Sequence, residues 1–300
     1  MNTFFYYVIQ YYCTSKLEST TDARRALLRP QDSIVYALEQ TPPHKEARVE
    51  RNDSMANIFK SAIMRTSRHR PAPSMFFLPG LETKPWWDPE SSVFGPWIDN
   101  LRSNLATIRD EYNNVSQHES DYEVQSEHEK LHSGDWEWHS FIQKGSKNDV
   151  FRKSCPRTAE ILESIPSLMT KIPFAYAFFS TLHGESKIAA HTGPCNLRLR
   201  VHFPILVPNE INEEFRECKI EGSDNGPPAC GMSVGGVARE WEEGVPAIFD
   251  DSFVHHTWNN VPETKRVVLL FDIWHPGVHP DEREEIVGMF EGARQKGWLK

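Results

Sequence analysis

From residue 172 onward the chain is cut into short apolar segments, and one of them carries two arginines and a histidine on a single face. In LRLRVHFPILV, beginning at Leu197, the apolar Leu197, Leu199, Val201 and Phe203 alternate with Arg198, Arg200 and His202. Successive side chains of a strand point to opposite faces, so the pattern reads as a strand with one apolar and one charged face. A charged face inside a folded domain needs partners, because burying an unpaired charge is costly. The neighbouring segments share this texture. FAYAFFSTL sets Phe174, Tyr176, Phe178, Ser180 and Leu182 on one face, and GMSVGGVAREW, VPAIFDD and RVVLLFDIWHP follow, separated by Gly, Pro, Asn and Asp turns. Such a series predicts a mainly β domain, a small barrel or sandwich with a polar interior site.

The half before residue 172 reads as helices and loops. Ile98, Leu101, Leu105, Ile108 and Tyr112 recur at helical spacing and predict a helix over 97–113. A second helix is expected over 157–168, with Ile161, Leu162 and Ile165 inward. The charged stretch 117–133 reads as an exposed loop. Residues 1–70 are polar with weak periodicity and are expected to be an irregular lead-in, with 71–300 forming a single domain whose N-terminal half is helical. The apolar opening MNTFFYYVIQYYC is too short to span a bilayer and lacks a basic flank, so a packed strand or helix is expected there, with no clear membrane association.

A net charge of −9 argues against a nucleic-acid partner, which selects for a basic surface. The five cysteines are an odd number with no CxxC pair. That favours reduced thiols and a cytoplasmic location over a disulfide framework or a cysteine-ligated zinc site.

Three features of the strand-rich half bear on chemistry: His191 followed by Thr192 and Gly193, the segment FDDSFVHHTW with His255 and His256, and Arg266 opening the last long strand. The histidines His191 and His255 are 64 residues apart (255 − 191), and Arg266 lies 11 beyond (266 − 255). A histidine in a turn before one strand, another before a later strand and an arginine downstream resemble the order of non-haem iron oxygenases that use 2-oxoglutarate. Imidazole suits Fe(II), and two protein ligands leave positions for an oxo-acid and O₂. A guanidinium fork suits the distal carboxylate of the oxo-acid. The usual triad carboxylate would stand two residues after the first histidine, where this chain has Gly193. Blander readings stand beside these. His256 is a bystander next to His255, Asp250 and Asp251 are turn-capping residues, Arg198 pairs with an acid such as Glu240 or Glu242, and Cys195 is a packed thiol. Ser252 near Asp and His has no Gly-x-Ser-x-Gly elbow to support a hydrolase.

The words HTGPCNLRLRVH, WEEGVPAIFDDSFVHHTWN and RVVLLFDIWHP, with MFFLPGLETKPWWDP, GDWEWHSF and AFFSTLHGESKIAAHTGP before them, resemble the aspartyl/asparaginyl β-hydroxylase family over about residues 70–280. The resemblance implies a double-stranded β-helix core of the jelly-roll or cupin kind with flanking helices, using Fe(II), 2-oxoglutarate and O₂. By position it implies that His191 and His255 hold the iron and that water takes the third place beside Asp251. It further implies that Arg266 and Ser180 hold the distal carboxylate of 2-oxoglutarate, that Arg200 and His202 lie near its chelating end, that Trp136 walls the pocket, and that Arg198 holds a substrate carboxylate. The peptide hydroxylases of the family carry a second substrate arginine five residues before the tryptophan of GDW, where this chain has Leu131 beside Lys130. The expected reaction is therefore hydroxylation of a C–H bond in a carboxylate-bearing small molecule or amino-acid-like substrate. Halogenation, desaturation, cyclisation and peptide Asp/Asn hydroxylation are the alternatives on the same fold, and an inactive metal- or carboxylate-binding module is the alternative from another class. A zinc hydrolase would need a general base that the sequence does not supply.

Overall fold

The computed structural model describes residues 71–122, 131–208 and 228–297. The expected lead-in, residues 1–70, lies outside the described residues, as do Cys13, Lys130 and Cys218. Contacts divide the chain into a β-rich unit, Arg68–Val287, and a second unit formed by Met1–Ser67 with Gly288–Lys300. Of the second unit the described part is 288–297.

The β-rich unit begins with β1 (Trp86–Trp87), α1 (Trp97–Ser103), α2 (Leu105–Val115), β2 (His132–Ser133), β3 (Trp136–Gln143) and β4 (Ser146–Lys147). Two short helices, α3 (Asp149–Ser154) and α4 (Pro156–Glu163), lead into β5 (Ala177–His183), β6 (Ser186–His191), β7 (Arg198–Leu206), β8 (Cys230–Val234), β9 (Val237–Glu240), β10 (Ala247–Phe249), β11 (His255–Asn259) and β12 (Lys265–Trp274). A last helix, α5 (Pro280–Gln295), has Asp281 and Glu282 in its first turn and Arg294 in its last, which suits the helix dipole. Among the described residues no helix is long and apolar enough to cross a membrane.

Two antiparallel sheets form, one in the order β1-β10-β7-β12-β5-β3-β4 and the other β2-β6-β11-β8-β9. From β5 to β12 the chain passes back and forth between them: β5, β7, β10 and β12 lie in the larger sheet, and β6, β8, β9 and β11 in the smaller. Strands contributed alternately to two facing sheets are the winding of a double-stranded β-helix, so the fold expected from the sequence is the one observed.

Register assigns the faces of the larger sheet, because residues opposite each other in a ladder share a face. One face carries Trp136, Leu182 and Arg266 in a row, then Trp138, Ser180, Val268 and Pro204, then Phe178, Leu270, His202 and Ala247, then Asp272, Arg200 and Phe249, then Trp274 and Arg198. The opposite face carries Phe179, Thr181, Leu269, Phe271 and Val201 and is covered by helices. Tyr112 meets Phe179 at 5.4 Å, Trp97 meets Phe271 at 5.9 Å and Phe151 meets Phe179 at 5.6 Å between ring centroids. The charged face of β7 therefore looks inward, between the sheets.

Three local expectations are corrected. The helix expected over 97–113 is two helices, because the Asn104 side chain donates to the Asn100 carbonyl at 2.8 Å and competes with the helix's own ladder. The helix expected over 157–168 stops at Glu163. Pro166 disfavours helical geometry at the residue before it, and the chain instead runs beside β12, with the Trp274 amide donating to the Ser167 carbonyl at 2.8 Å. The stretch expected to be an exposed loop contributes β2 and an anchor: Asp121 accepts from the Ser140 amide at 2.8 Å and its hydroxyl at 2.9 Å. Residues 123–130 of it lie outside the described residues.

The Tyr112 hydroxyl and Thr181 Oγ1 are 3.0 Å apart in a buried contact between α2 and β5. Tyr112→Phe should lower stability by about 1–2 kcal/mol, since it leaves the buried Thr181 hydroxyl unpaired. Urea unfolding measures this, and an unchanged midpoint would contradict the contact.

Candidate active site

Two turns, 192–197 before β7 and 250–254 before β11, meet at the end of the barrel. The segment 72–78 straps both: the Ala72 amide donates to the Ser252 carbonyl at 2.7 Å, and the Met75 and Phe76 amides donate to the Pro194 carbonyl at 3.1 and 2.8 Å. Asn196 completes the strap by accepting from the Leu78 amide at 2.7 Å and donating to its carbonyl at 2.8 Å. With the turns fixed, β6 and β11 place His191 and His255 directly opposite each other, their ring centroids 4.1 Å apart. His191 therefore ends a strand, and His255 begins one, where the sequence suggested turn positions ahead of later strands.

Both imidazoles are held the same way. Nδ1 of His191 meets the Ala189 carbonyl at 2.8 Å, and Nδ1 of His255 meets the Phe253 carbonyl at 2.9 Å. A carbonyl only accepts, so each Nδ1 carries the proton and each Nε2 keeps a lone pair for a Lewis acid. Burial lowers both imidazoles from their ordinary value, and burial together with the neighbouring His191 takes His255 to about 3. Both rings are thus neutral near pH 7, as metal ligation requires. His256 points to the other side of β11, exposed and against Trp258 at 5.3 Å.

Beside the pair lies a buried ionic network. Arg198 donates through Nε and Nη2 to Asp251 at 3.2 and 2.5 Å, and through Nη1 to Asp272 at 3.0 Å and to the Phe174 carbonyl. Arg200 donates through Nε and Nη2 to Asp272 at 2.9 and 3.1 Å, and its Nη1 is 3.6 Å from Asp251. Burial by itself would raise Asp251, but the Arg198 and Arg200 guanidiniums outweigh it and hold the carboxyl well below the usual carboxylate range. The partners of Arg198 are therefore Asp251 and Asp272, and the expected Glu240 and Glu242 are exposed elsewhere. Arg198, 2 % exposed, makes four hydrogen bonds within this network, which leaves one of its five N–H groups for a further partner.

The missing triad carboxylate has a steric counterpart. A Cβ placed on Gly193 would lie 2.4–2.6 Å from the Asp251 carboxylate, whose backbone carbonyl also accepts from the Gly193 amide at 2.6 Å. The space that a side chain at 193 would need is filled by a carboxylate from the facing turn. Among the described residues no group of three or more His, Cys, Asp or Glu could hold a metal ion.

At the other end of the inner face Arg266 is 1 % exposed, and among the described residues no carboxylate pairs with it. Nη1 donates weakly to the Ser180 carbonyl and hydroxyl at 3.4 Å, the guanidinium stacks 4.7 Å over Trp241, and Nε has no partner. Burial pulls this arginine down to about 10. Trp136 donates to the Ser180 hydroxyl at 2.9 Å, which joins these residues into one wall. Between the two ends His202 is 5 % exposed, near-parallel to Trp241 at 6.0 Å, with Nδ1 unpartnered and its charge suppressed by burial and by Arg266, Arg200 and His255. Buried polar atoms without partners are rare in folded proteins. Those of Arg266 and His202 belong to side chains that both pack on Trp241, whose own Nε1 is also unpartnered. An open cleft beside His183, Leu206 and Lys265 is lined by none of these residues.

Sequence reasoning missed Asp272 and Trp241. Asp272 had a signal: it is the one ionisable residue inside VVLLFDIW and shares the strand face of Arg266. Trp241 had none, since it lies just past the end of β9 and only the winding of the sheets brings it to Arg266. Of the cysteines, Cys195 is fully buried and its thiol is pushed up to about 12 by burial, as a packed, unreactive residue should be.

Two outcomes follow. Gly193→Ala should lower the melting temperature by several degrees, because the Asp251 carboxylate cannot yield without leaving its arginines. Gly288→Ala, in open space on α5, should be neutral or stabilising; equal effects at both sites would contradict the packing. Asp250, which accepts from the Ser252 amide at 2.9 Å, is raised by burial from 3.8 to about 7. Folding therefore favours its protonated form, and that contribution is lost as pH rises from about 4 through about 7. Asp250→Asn should flatten the fall in stability over that window, and an unchanged slope would count against the assignment.

The aspartyl/asparaginyl beta-hydroxylase family profile matches residues 102–276. The human aspartyl/asparaginyl beta-hydroxylase is 29% identical over 213 residues, 71% of this chain and 26% of that protein. The ornithine lipid ester-linked acyl 2-hydroxylase of Rhizobium tropici is 30% identical over 186 residues, 60% of this chain and 58% of that protein. The chain thus spans about a quarter of the length of the human relative. Among solved structures, a Pseudomonas putida prolyl-4-hydroxylase aligns at a TM-score of 0.32 with 14% identity, over 62% of this chain and 90% of that one. The fold assignment rests instead on the strand order.

Proposed function

The chain belongs to the aspartyl/asparaginyl β-hydroxylase family, and from that premise we propose that it is an Fe(II)- and 2-oxoglutarate-dependent oxygenase that hydroxylates a C–H bond of a small molecule. The observation that carries the reading is the buried Arg266, whose Nε is unpaired at one end of an inner face that has two lone-pair-bearing imidazoles at the other. A buried cation without a counter-ion and a neutral histidine pair ask for an anion that also meets a metal, and a dicarboxylate bearing a keto group fits both.

In this reading His191 and His255 hold the iron through Nε2, with their carbonyl partners fixing the tautomer. Arg266 and the Ser180 hydroxyl bind the distal carboxylate of 2-oxoglutarate, and Trp136 orients Ser180. His202 and Arg200 would lie near the chelating end of the cosubstrate. Asp251, tied to both arginines and covering Gly193, positions the turn that leads into His255 and would accept a hydrogen bond from a metal-bound water. Iron with 2-oxoglutarate and O₂ supplies the oxidising power for the C–H bond, while the protein positions the reactants and keeps the site dry. A halide beside Gly193 would meet the Asp251 carboxylate, so hydroxylation is favoured over halogenation. The relatives include an Asp/Asn hydroxylase and a lipid acyl hydroxylase, which leaves the choice of substrate to the residues of the site.

His191→Ala and His255→Ala should each abolish succinate formation from 2-oxoglutarate in the Fe(II)-loaded protein. Arg266→Ala should raise the KM for 2-oxoglutarate at least tenfold, which corresponds to losing about 1.4 kcal/mol or more. Unaltered turnover in either histidine variant would overturn the ligand assignment, and an unchanged KM would overturn that of Arg266.

A further inference from the structure

An indole N–H donates and never accepts, so a buried tryptophan settles where an oxygen meets that one group. Three tryptophans of this chain do so: Trp86 donates to the Val237 carbonyl at 3.1 Å, Trp136 to the Ser180 hydroxyl at 2.9 Å and Trp258 to the Pro228 carbonyl at 2.6 Å. The buried Nε1 atoms of Trp87, Trp138 and Trp241 have no partner. Trp87 is set edge-on to Phe94 at 6.2 Å and His275 at 5.1 Å, and Trp138 is stacked on Phe178 at 4.1 Å. Trp241 differs from both. The buried cation over its ring, Arg266 at 4.7 Å from the centroid, is itself short of an acceptor at Nε.

Two donors that lack an acceptor thus belong to side chains in direct contact. Trp241 is 6% exposed and Arg266 1%, so bulk water serves neither. Packing with Met232, Phe249, Val268 and Leu270 holds the indole in the apolar core. Those neighbours would accept a phenylalanine as readily, and a phenylalanine would leave no N–H stranded. The ring also covers a face of the guanidinium, so an anion meets Arg266 at its edge, in the plane of the N–H bonds. The Ser180 hydroxyl accepts from Trp136 and from Nη1 of Arg266, which leaves its own proton to donate. A carboxylate has lone pairs for all three donors: Nε of Arg266, the Ser180 hydroxyl and Nε1 of Trp241.

Resting on the oxygenase reading above, we propose that Trp241 is a further binding residue for the distal carboxylate of 2-oxoglutarate: its indole N–H donates to the carboxylate that Arg266 and Ser180 hold, and its ring shields the guanidinium from water. The distal carboxylate is thereby met by three donors and no acceptor. The contribution of Trp241 acts at that end of the cosubstrate and is absent at the chelating end.

The test is anaerobic calorimetric titration of the full chain with Fe(II), using 2-oxoglutarate and, separately, oxalate, a chelator with no carbon chain beyond its chelating oxygens. Trp241→Phe keeps an aromatic face for Arg266 and removes the N–H. It should weaken 2-oxoglutarate about tenfold, as loss of a hydrogen bond to a charged group does, and leave oxalate within about twofold of the parent chain. An unchanged affinity for 2-oxoglutarate, or an equal loss for both ligands, overturns the role of Trp241. Should the variant not fold, indole nitrogen-15 spectra of the parent chain with Zn(II) in place of Fe(II) decide. Of its nine tryptophans, one indole N–H should move downfield and become protected from exchange on adding 2-oxoglutarate and not on adding oxalate. Spectra that respond alike to both ligands overturn the proposal. Failure of 2-oxoglutarate to bind the parent chain overturns the oxygenase reading, and this proposal with it.

Discussion

Two arginines and two aspartates, nearly sealed from water, tie together β7, β12 and the turn that leads into β11. Arg198 and Arg200 come from one strand, Asp272 from its neighbour, and Asp251 from the facing turn. Burying four charges is costly, and the geometry repays it only because nearly every nitrogen meets a carboxylate or carbonyl oxygen. Removing any one member leaves an uncompensated buried charge, which costs about 3–5 kcal/mol. The histidine pair depends on this network. Asp251 lies in the turn four residues before His255 and packs over Gly193 two residues after His191, so one carboxylate ties the turn after His191 to the turn before His255.

The inner face is electrically lopsided as a result. At the histidine end the charges cancel among themselves. At the other end Arg266 is buried beside Trp241 and Ser180 with its Nε unpaired. A protein that carries an unsatisfied buried cation gives up stability for something, and under the proposed function a dicarboxylate cosubstrate would restore the balance.

The strands of the β-helix were legible where their faces differ: the alternation of Arg198, Arg200 and His202 with Leu199 and Val201 marks β7 and its inward face. The strands β3, β6 and β11 were harder to read, because WEWHSFIQ, SKIAAH and HHTWN lack clean alternation and are fixed by pairing with remote strands. The histidines, Arg266 and Ser180 stood out through ordered motifs. What the sequence did not disclose was which charges pair. Glu240 and Glu242 are closer to Arg198 in sequence than Asp251 and Asp272 are, but the winding of two sheets decides proximity, and it brings the aspartates inward. The break at Asn104 and the stop after Glu163 turn on a single side-chain bond and a single proline, which a helical period averages away.

The proposed function requires that the histidine pair and Arg266 together hold iron and 2-oxoglutarate. Anaerobic addition of Fe(II) and then 2-oxoglutarate to the full chain tests it by visible absorption. A metal-to-ligand charge-transfer band is expected that is absent from His191→Ala and needs far more 2-oxoglutarate in Arg266→Ala. A folded protein that gives no band, or a band that survives His191→Ala, would contradict it.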